Sequence, residues 1–380
     1  MKIAIFSTWY ISEESIGGTE RFVQDLADAI SKKGHCVDVY MLSGKSYRKN
    51  NVNYISLDLF GEDVIADEYM ITNRYGKLNS IKAYEIIAKE IEKKVNVEEY
   101  NIIQLNSHLF LKCFENKKRI FTIHSNYGEF KILNDDIEFE IMVQIMKAAV
   151  KNSRTYFAVP SFYYSNLWKD IIKKNVVFIP HALNESRLVC DKSKELLIKK
   201  YNLSENKIKI LLPNRLEMIQ KQPNLILDAL ELLTVSQRQL FQIIFTGLDN
   251  QYLKNVLLLE KQSEQLCVDS KFISFDAISE AYKLTDLVLI PSKSESFGYS
   301  ALESLYLGIP TILTDLPSFK EISEGTQSCI MFNGTKESLA SILRMLVNKK
   351  IERKEISEEW KKRYELSLFA QRYIDIYGKE

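Results

Sequence analysis

Short apolar segments alternate with amphipathic segments along most of this chain. Residues 2–6 are almost continuously apolar, which is typical of a strand buried on both faces. Apolar residues then recur at helical spacing through residues 22–30, and Gly34 ends this predicted helix before a second strand at 37–41. A strand, a helix and a strand within about 40 residues form a βαβ unit, which predicts a parallel sheet.

The alternation continues in two successive series, each with its own first strand. In the first series we predict strands at residues 2–6, 37–41, 102–105, 119–123, 155–159 and 176–179. In the second series we predict strands at 208–212, 241–245, 271–275, 287–290 and 311–313, with a helix at 223–233. Two such series predict an α/β protein with two Rossmann-like, doubly wound domains. Residues 45–80 give no readable pattern.

The predicted linker between the two series begins at Pro180 and extends to about Leu203. It divides the chain into an N-terminal domain at 1–180 and a C-terminal domain at 181–360. Residues 360–377 are predicted to form an aromatic-rich helix pair, and periodicity does not assign that pair to either domain.

Composition restricts the class of protein. With 380 residues, 46% apolar residues and 27% charged residues, the chain has the composition of a soluble globular protein with two cores. A net charge of +1 argues against a dedicated nucleic-acid binder. Five scattered cysteines without a CxxC pair indicate reduced thiols in a cytoplasmic protein, and four histidines without ligand spacing argue against zinc. We expect neither a signal peptide nor a membrane span, although peripheral contact with the inner face of a membrane stays open.

Two glutamates, Glu295 and Glu303, lie eight positions apart around a predicted helix start. The apolar run 288–290 predicts a buried strand that Pro291 ends, and helical spacing resumes at residues 301–306. Glu295 is therefore placed in the strand-to-helix loop, and Glu303 about two turns inside the helix. Taken alone, the same residues also fit an ordinary helix start with a turn.

The residues between these glutamates, Phe297, Gly298 and Tyr299, are predicted to present backbone N–H groups at the positive end of that helix. Such a position favours a phosphate group. Gly298 has no side chain that would keep an anion away from the backbone. One loop thus offers an anion site together with two carboxylates that accept hydrogen bonds from sugar hydroxyls.

Polar or glycine-rich loops follow five predicted strands. They contain Gly17 and Gly18, His124, Arg215, Gly247 and Glu295. In open α/β sheets, ligands bind outside the carboxyl ends of the strands. We therefore predict an active site in a cleft between the two domains.

With these positions assembled, the chain resembles the retaining glycosyltransferases of the GT-B fold, in the large E-x7-E family known as glycosyl transferases group 1. The resemblance covers nearly the whole chain. The residues that carry it are Gly17, Gly18, Glu20, Gly34, His35, Val37, His124, 179–182, Arg215, Leu216, Lys221, Gly247, 295–298, Glu303, Gly308 and Pro310. It implies two facing domains and a C-terminal helix, at about 361–380, that returns to the first domain.

The resemblance implies that the second domain binds a nucleotide-diphosphate sugar, with UDP the commonest nucleotide, and that the first domain binds the acceptor. Arg215 and Lys221 would neutralise the diphosphate, since charge builds on that leaving group. Glu295 would accept hydrogen bonds from the transferred hexose or N-acetylhexosamine, and Glu303 from the ribose. One extra residue separates Arg215 from Lys221, and Asn214 stands where glycine is common. Gln220 or Gln222 are therefore alternative neighbours of the site.

The remaining site residues follow from the same resemblance. His124 would contact the transferred sugar, and His181 replaces the usual linker asparagine and is assigned a structural role, as are His35 and His108. Further candidate donor-binding residues are Gly17, Gly18, Gly247, Ser296, Phe297, Gly298 and Tyr299.

No side chain stands out as a nucleophile and the chain contains no Asp-x-Asp triplet, so we predict front-face transfer without a metal or other cofactor. The acceptor stays open among a glycan, a lipid-linked sugar, a natural product and a protein. The loops at 7–16, 45–80 and 127–141, with Trp9, Tyr10, Tyr127 and Phe130, would line its site. The alternatives are a nucleotide-sugar 2-epimerase of the same fold and a non-catalytic partner subunit.

Overall fold

The computed structural model describes residues 1–12, 17–125, 136–151, 154–174, 176–247, 252–347 and 349–378. The chain divides into two compact units. Unit 1 comprises Met1–Ala182 with Tyr364–Glu380, and unit 2 comprises Leu183–Arg363. Each unit is an α/β domain built on a mainly parallel sheet, which confirms the predicted fold class. The unit boundaries lie two or three residues beyond the domain limits predicted at 180 and 361.

Unit 1 contains an eight-stranded sheet with the order β3-β4-β2-β1-β5-β6-β7-β8. Its strands are parallel except for the antiparallel pair β3–β4. The strands are β1 (Lys2–Ser7), β2 (Cys36–Met41), β3 (Tyr47–Lys49), β4 (Val52–Ser56), β5 (Ile102–Leu105), β6 (Arg119–Thr122), β7 (Thr155–Val159) and β8 (Val176–Phe178). The helices are α1 (Gly18–Lys32), α2 (Glu68–Tyr75), α3 (Ile81–Lys94), α4 (Asp136–Val150) and α5 (Phe162–Ile172).

The hairpin β3–β4 and helix α2 occupy the region whose pattern was unreadable. Asn50 and Asn51 both adopt positive φ, at 51° and 63°, in the two-residue turn that joins these strands. Asparagine tolerates this left-handed conformation, and two such residues in succession suit the twist of a hairpin. Strands of three and five residues are too short to show a clear period-two pattern.

Unit 2 contains a six-stranded, wholly parallel sheet with the order β11-β10-β9-β12-β13-β14. The strands are β9 (Ile208–Leu212), β10 (Phe241–Thr246), β11 (Asp269–Ile273), β12 (Leu287–Ile290), β13 (Thr311–Thr314) and β14 (Cys329–Phe332). The helices are α6 (Lys194–Lys200), α7 (Leu225–Glu231), α8 (Val235–Arg238), α9 (Leu253–Gln265), α10 (Ile278–Leu284), α11 (Tyr299–Tyr306), α12 (Pro317–Ser323), α13 (Lys336–Leu346) and α14 (Glu358–Arg363).

Three sequence predictions for unit 2 differ from the structure. The strand predicted at 271–275 is β11 and spans Asp269–Ile273. The segment predicted as a linker to Leu203 belongs to unit 2 from Leu183 onward and contains α6. Strand β14 has no counterpart among the predicted strands. It is an edge strand whose four residues are all apolar but whose first three are partly exposed, and this short run was not recognised as a strand.

The last helix, α15 (Leu366–Tyr377), packs on unit 1. Phe369 and Tyr373 contact the Phe22 ring of α1 edge-on, with centroid separations of 5.6 and 5.8 Å. Aromatic pairs in this geometry add stabilisation beyond the apolar area that they bury. The aromatic residues near the C-terminus therefore form part of the core of unit 1.

Glu280 of α10 fixes the segment around α6. Its carboxylate binds Lys192 Nζ at 2.5 Å, Lys200 Nζ at 2.7 Å and the Tyr201 hydroxyl at 2.6 Å, and its side chain is 11% exposed. Burial alone would raise the pKa of Glu280, but the three hydrogen bonds outweigh it and lower the pKa to about 2.

We expect Glu280→Gln to destabilise unit 2 by about 1–2 kcal/mol at pH 7, discounted because both lysines are half exposed. Because the folded-state pKa is depressed, this contribution is present above pH ~4.5 and disappears as the pH falls toward 2. Urea denaturation of wild type and variant between pH 7 and pH 3.5 measures it, with the exposed Glu231→Gln as control. A difference that does not shrink at low pH contradicts the assignment.

Candidate functional site

The carboxylate of Glu295 is the centre of the candidate site in unit 2. Its Oε1 accepts hydrogen bonds from Lys221 Nζ at 2.6 Å and from the Ser292 hydroxyl at 2.9 Å. The side chains of Glu295 and Lys221 are each 12% exposed. Ser318 Oγ donates to the Glu295 backbone carbonyl at 2.9 Å. The structure therefore brings together two predicted site residues 74 positions apart in the sequence.

The loop that carries Lys221 is organised by Glu217 and Gln220. The Glu217 carboxylate accepts the backbone amides of Ile219 and Gln220, both at 2.6 Å. The Gln220 side chain donates to Ser294 O at 3.1 Å, and its backbone carbonyl accepts Lys293 N at 2.8 Å. Gln220 thus joins this loop to the Glu295 loop, and the extra residue after Arg215 still lets Lys221 reach Glu295.

Helix α11 begins beside Glu295. Gly298 precedes it with φ of 102°, and a Cβ there would lie 2.6 Å from Phe319 Cε1. Both facts require glycine at this position. Ser300 Oγ donates to Pro213 O at 2.9 Å and so holds the helix start against the end of β9. The first amides of a helix have no partner within it and lie at its positive end. An anion site at Phe297, Gly298 and Tyr299 stays a prediction.

Glu303 lies nearer the helix start than predicted. Because α11 starts at Tyr299, Glu303 is in the second turn rather than two full turns inside. The residue is only 5% exposed, and the buried Tyr282 hydroxyl donates to its Oε2 at 2.9 Å. The hydrogen bond from Tyr282 thus holds the Glu303 carboxylate in a fixed orientation.

Arg215 and Gly247 follow the neighbouring strands β9 and β10. A Cβ at Gly247, where φ is 96°, would lie 3.6 Å from the Arg215 Cα and 3.0 Å from Phe275 Cε2. Arg215 is exposed. Within the parts of the chain that the structure describes, its guanidinium forms no hydrogen bond or ion pair, so this charge is available to an anionic ligand.

In unit 1, Gly17 and Gly18 lie at the start of α1. Gly17 is the extended N-cap, and a Cβ there would lie 2.1 Å from Glu20 Oε2. The Glu20 carboxylate therefore folds over the cap, where it favours the positive end of the helix. Glycine at position 17 makes room for it.

His124 follows β6 and contacts the Phe22 ring edge-on at 4.6 Å between centroids. The His181 ring lies 5.5 Å away, also against Phe22. Burial lowers the pKa of His124 to about 3, and burial together with His124 lowers the pKa of His181. Both rings are neutral at ordinary pH, so His124 acts as a hydrogen-bonding group and not as a cation.

The other two histidines have structural partners. His108 Nε2 lies 2.8 Å from Glu138 Oε1, and His35 Nδ1 lies 3.0 Å from the terminal amine of Met1. Tyr127 and Phe130, which were predicted to line the acceptor site, lie outside the described residues.

The sequence interpretation missed Ser292, Ser318 and Tyr282. Ser292 lies three residues before Glu295, so the cluster of serines after β12 was a local signal. Ser318 and Tyr282 reach the site from α12 and α10, and no local pattern links them to it. Within the described ranges, no three His, Cys, Asp or Glu side chains are grouped so as to hold a metal ion. No helix of the described ranges is long and apolar enough to cross a membrane.

Comparison with known proteins gives the site its context. Residues 193–363, nearly all of unit 2, match the sequence model of the family described as "Glycosyl transferases group 1". Over 154 residues the chain is 28% identical to the O-antigen biosynthesis glycosyltransferase WclY of Escherichia coli, covering 39% of this chain and 41% of the relative. It is 23% identical over 342 residues to an uncharacterized glycosyltransferase of Methanocaldococcus jannaschii, covering 85% and 82%. The chain thus spans about two fifths of WclY.

Solved structures are similar over the whole chain. A sucrose-phosphate synthase from Thermosynechococcus elongatus superposes with a TM-score of 0.76 at 16% identity, covering 99% of this chain and 98% of the other. Anabaena HepE in complex with UDP and glucose superposes with a TM-score of 0.74 at 14% identity, covering all of both chains. The fold of these relatives is GT-B. Residues 193–363 thus resemble the group 1 glycosyltransferases in sequence, and the whole chain shares the GT-B fold with the solved structures.

Proposed function

We propose that the protein is a retaining glycosyltransferase that moves a hexose or N-acetylhexosamine from a nucleotide-diphosphate sugar, UDP-linked, to an acceptor hydroxyl. The observation that carries this proposal is the Lys221–Glu295 pair, at 2.6 Å, beside the start of α11. Lys221 and Ser292 both donate hydrogen bonds to Oε1 of Glu295. Among the described residues nothing binds Oε2, which leaves it for a sugar hydroxyl.

The positive groups of the site suit a departing diphosphate. Arg215 supplies a free guanidinium, and the N-terminal amides of α11 supply a second anion site. In the proposed front-face step the bond between the anomeric carbon and the phosphate oxygen breaks. The acceptor oxygen bonds to the same face, and its proton passes to the departing phosphate. The positive groups stabilise the charge that develops there without a metal.

A role for the remaining residues follows from the same proposal. Glu303, fixed by Tyr282, would accept hydrogen bonds from the ribose, and Gly247 would let the donor approach the backbone between β10 and Arg215. His124 would contact the transferred sugar, and Gly17 and Gly18 would let their loop approach the donor diphosphate or the acceptor. The Escherichia coli relative is named for O-antigen biosynthesis, which makes a glycan or lipid-linked sugar the first acceptor class to test.

Nucleotide release from a panel of UDP-sugars, with and without candidate acceptors, tests the proposal. We expect release from one donor, acceleration by an acceptor, no change in EDTA, and a product with the anomeric configuration of the donor by NMR. Arg215→Ala should lose at least ~10-fold in kcat/KM, whereas Arg344→Ala, at an exposed arginine on α13, should not. An epimerised free sugar, or no release with any donor, overturns transfer. Activity that EDTA abolishes and Mn²⁺ restores overturns metal independence.

A further inference from the structure

Two buried side-chain amides, those of Gln104 and Asn106, connect to His124 in unit 1. Gln104 is the penultimate residue of β5 and is fully buried, and Asn106 follows β5 and is 2% exposed. Gln104 Nε2 donates to Thr122 Oγ1 at 2.9 Å and to Asn106 Oδ1 at 3.2 Å. These two side chains thus share one hydrogen-bonded network across β5 and β6.

The network has a defined direction. Asn106 Nδ2 donates to Phe6 O at 3.2 Å, and a backbone carbonyl only accepts. The amide nitrogen of Asn106 is therefore turned toward Phe6, and its oxygen faces His124 Nε2 at 3.5 Å. Because that oxygen also only accepts, Nε2 of His124 must carry the proton. Nδ1 is then the unprotonated, accepting nitrogen.

Helix α15 holds the other end of the network. The Tyr377 hydroxyl donates to Gln104 Oε1 at 3.2 Å, and the Tyr373 hydroxyl lies 2.9 Å from Thr122 Oγ1. Both tyrosines are fully buried. The chain of contacts therefore runs from the C-terminal helix through Gln104 to Asn106 and ends at His124.

A buried polar network has a cost in stability. Buried polar groups cost free energy unless every one of them is satisfied, and apolar residues of similar shape would give comparable stability. What a satisfied network adds is a unique orientation of its members. In this network, His124 is the residue whose orientation and tautomer matter for binding a ligand.

We propose that Asn106 is a positioning residue that holds His124 as the Nε2–H tautomer, so that Nδ1 accepts a hydrogen bond from a hydroxyl of the transferred sugar. This inference rests on the proposed function. Gln104, Thr122 and the two tyrosines of α15 hold Asn106 in turn. Hydrogen bonds at a site without substrate are often long and shorten when the substrate binds, which accommodates the 3.5 Å separation.

The tautomer is measured without any substrate, from ¹⁵N shifts of the histidine ring in the full-length chain. We expect Nε2–H in wild type, a mixed or reversed tautomer in Asn106→Leu, and retention of Nε2–H in Asn106→Asp, which keeps an accepting oxygen. An Nδ1–H tautomer in wild type overturns the inference. Because this readout needs no turnover, failure of the transferase proposal alone would leave the tautomer result intact.

Steady-state kinetics of the Asn106 variants provide a second test. Asn106→Leu should lower kcat about 10–100-fold while the Kd for UDP stays unchanged, and Asn106→Asp should recover part of kcat. In a His124→Phe background, Asn106→Leu should cause no further loss, because it acts through the histidine. Independent, multiplicative losses in the two variants would show a merely structural role. If Asn106→Leu does not fold, the wild-type tautomer and Asn106→Asp still decide.

Discussion

Glu295→Gln is expected to lower kcat/KM for nucleotide release by about 10²-fold while the protein stays folded. Hydrogen bonds to a charged partner contribute about 1.5–3 kcal/mol, and the sugar hydroxyl proposed to bind Oε2 would lose that charge. Lys221 would lose the negative charge of its partner as well, and its Nζ is 2.6 Å from Oε1 in a pair that is 12% exposed on each side. A largely desolvated ammonium without a counter-charge adds to the cost.

Steady-state kinetics with saturating acceptor and variable donor provide the measurement. Glu337→Gln, an exposed glutamate in the first turn of α13, removes the same charge from the same unit and should leave kcat/KM unchanged. Lys221→Met should also be strongly impaired. The double variant should resemble the worse single variant, because the two groups act as one unit. Wild-type turnover in Glu295→Gln would remove Glu295 from the proposed site.

The architecture of both units was predictable because parallel strands buried on both faces leave continuous apolar runs. Residues 102–105, 155–159, 208–212 and 287–290 are strands with the predicted bounds. The hairpin β3–β4 left no such run, because its strands mix polar and apolar residues. The edge strand β14 did leave a run of four apolar residues, which was not recognised because no second strand signal accompanies it. The sequence pattern therefore did not predict the partly exposed strands β3, β4 and β14.

The strand pattern alone located only those residues of the candidate site that follow a strand, whereas Lys221 was proposed from the family resemblance. Arg215, Gly247 and Glu295 follow strands of the unit 2 sheet, and His124 follows a strand of the unit 1 sheet. A parallel sheet places the carboxyl ends of its strands on one edge. The partners that orient them come from elsewhere. Tyr282 contacts Glu303 from α10, and Asn106 faces His124 across β5 and β6. Such contacts depend on tertiary packing, and spacing along the chain does not encode them.

The strongest stability effect is expected at Gly308, which ends α11. Its φ is +66°, and a Cβ at this position would lie 2.0 Å from the backbone oxygen of Lys354. The same two residues are joined by a hydrogen bond from Lys354 N to Gly308 O at 2.8 Å. A side chain at position 308 therefore collides with backbone that this bond holds close, and rotation of a side chain cannot relieve the collision.

We expect Gly308→Ala to destabilise unit 2 by about 3–5 kcal/mol and to lower its Tm by about 10 °C. About 1–2 kcal/mol of this comes from the left-handed backbone alone, and the rest from the collision. Gly325→Ala is the matched control, since Gly325 has φ of +84° and a Cβ at that position would have no atom within 4 Å. It carries the backbone cost without the collision, so its Tm should fall by only a few degrees.

Thermal unfolding of the three proteins separates the two costs. Equal Tm values for Gly308→Ala and Gly325→Ala would contradict the collision, because backbone strain would then account for both. The consequence also extends to the site, because α11 carries Glu303 in its second turn and presents its first amides beside Glu295. A shift of the helix end should therefore weaken UDP binding in Gly308→Ala below its unfolding temperature. Gly325, in the turn after α12, should leave UDP binding unchanged.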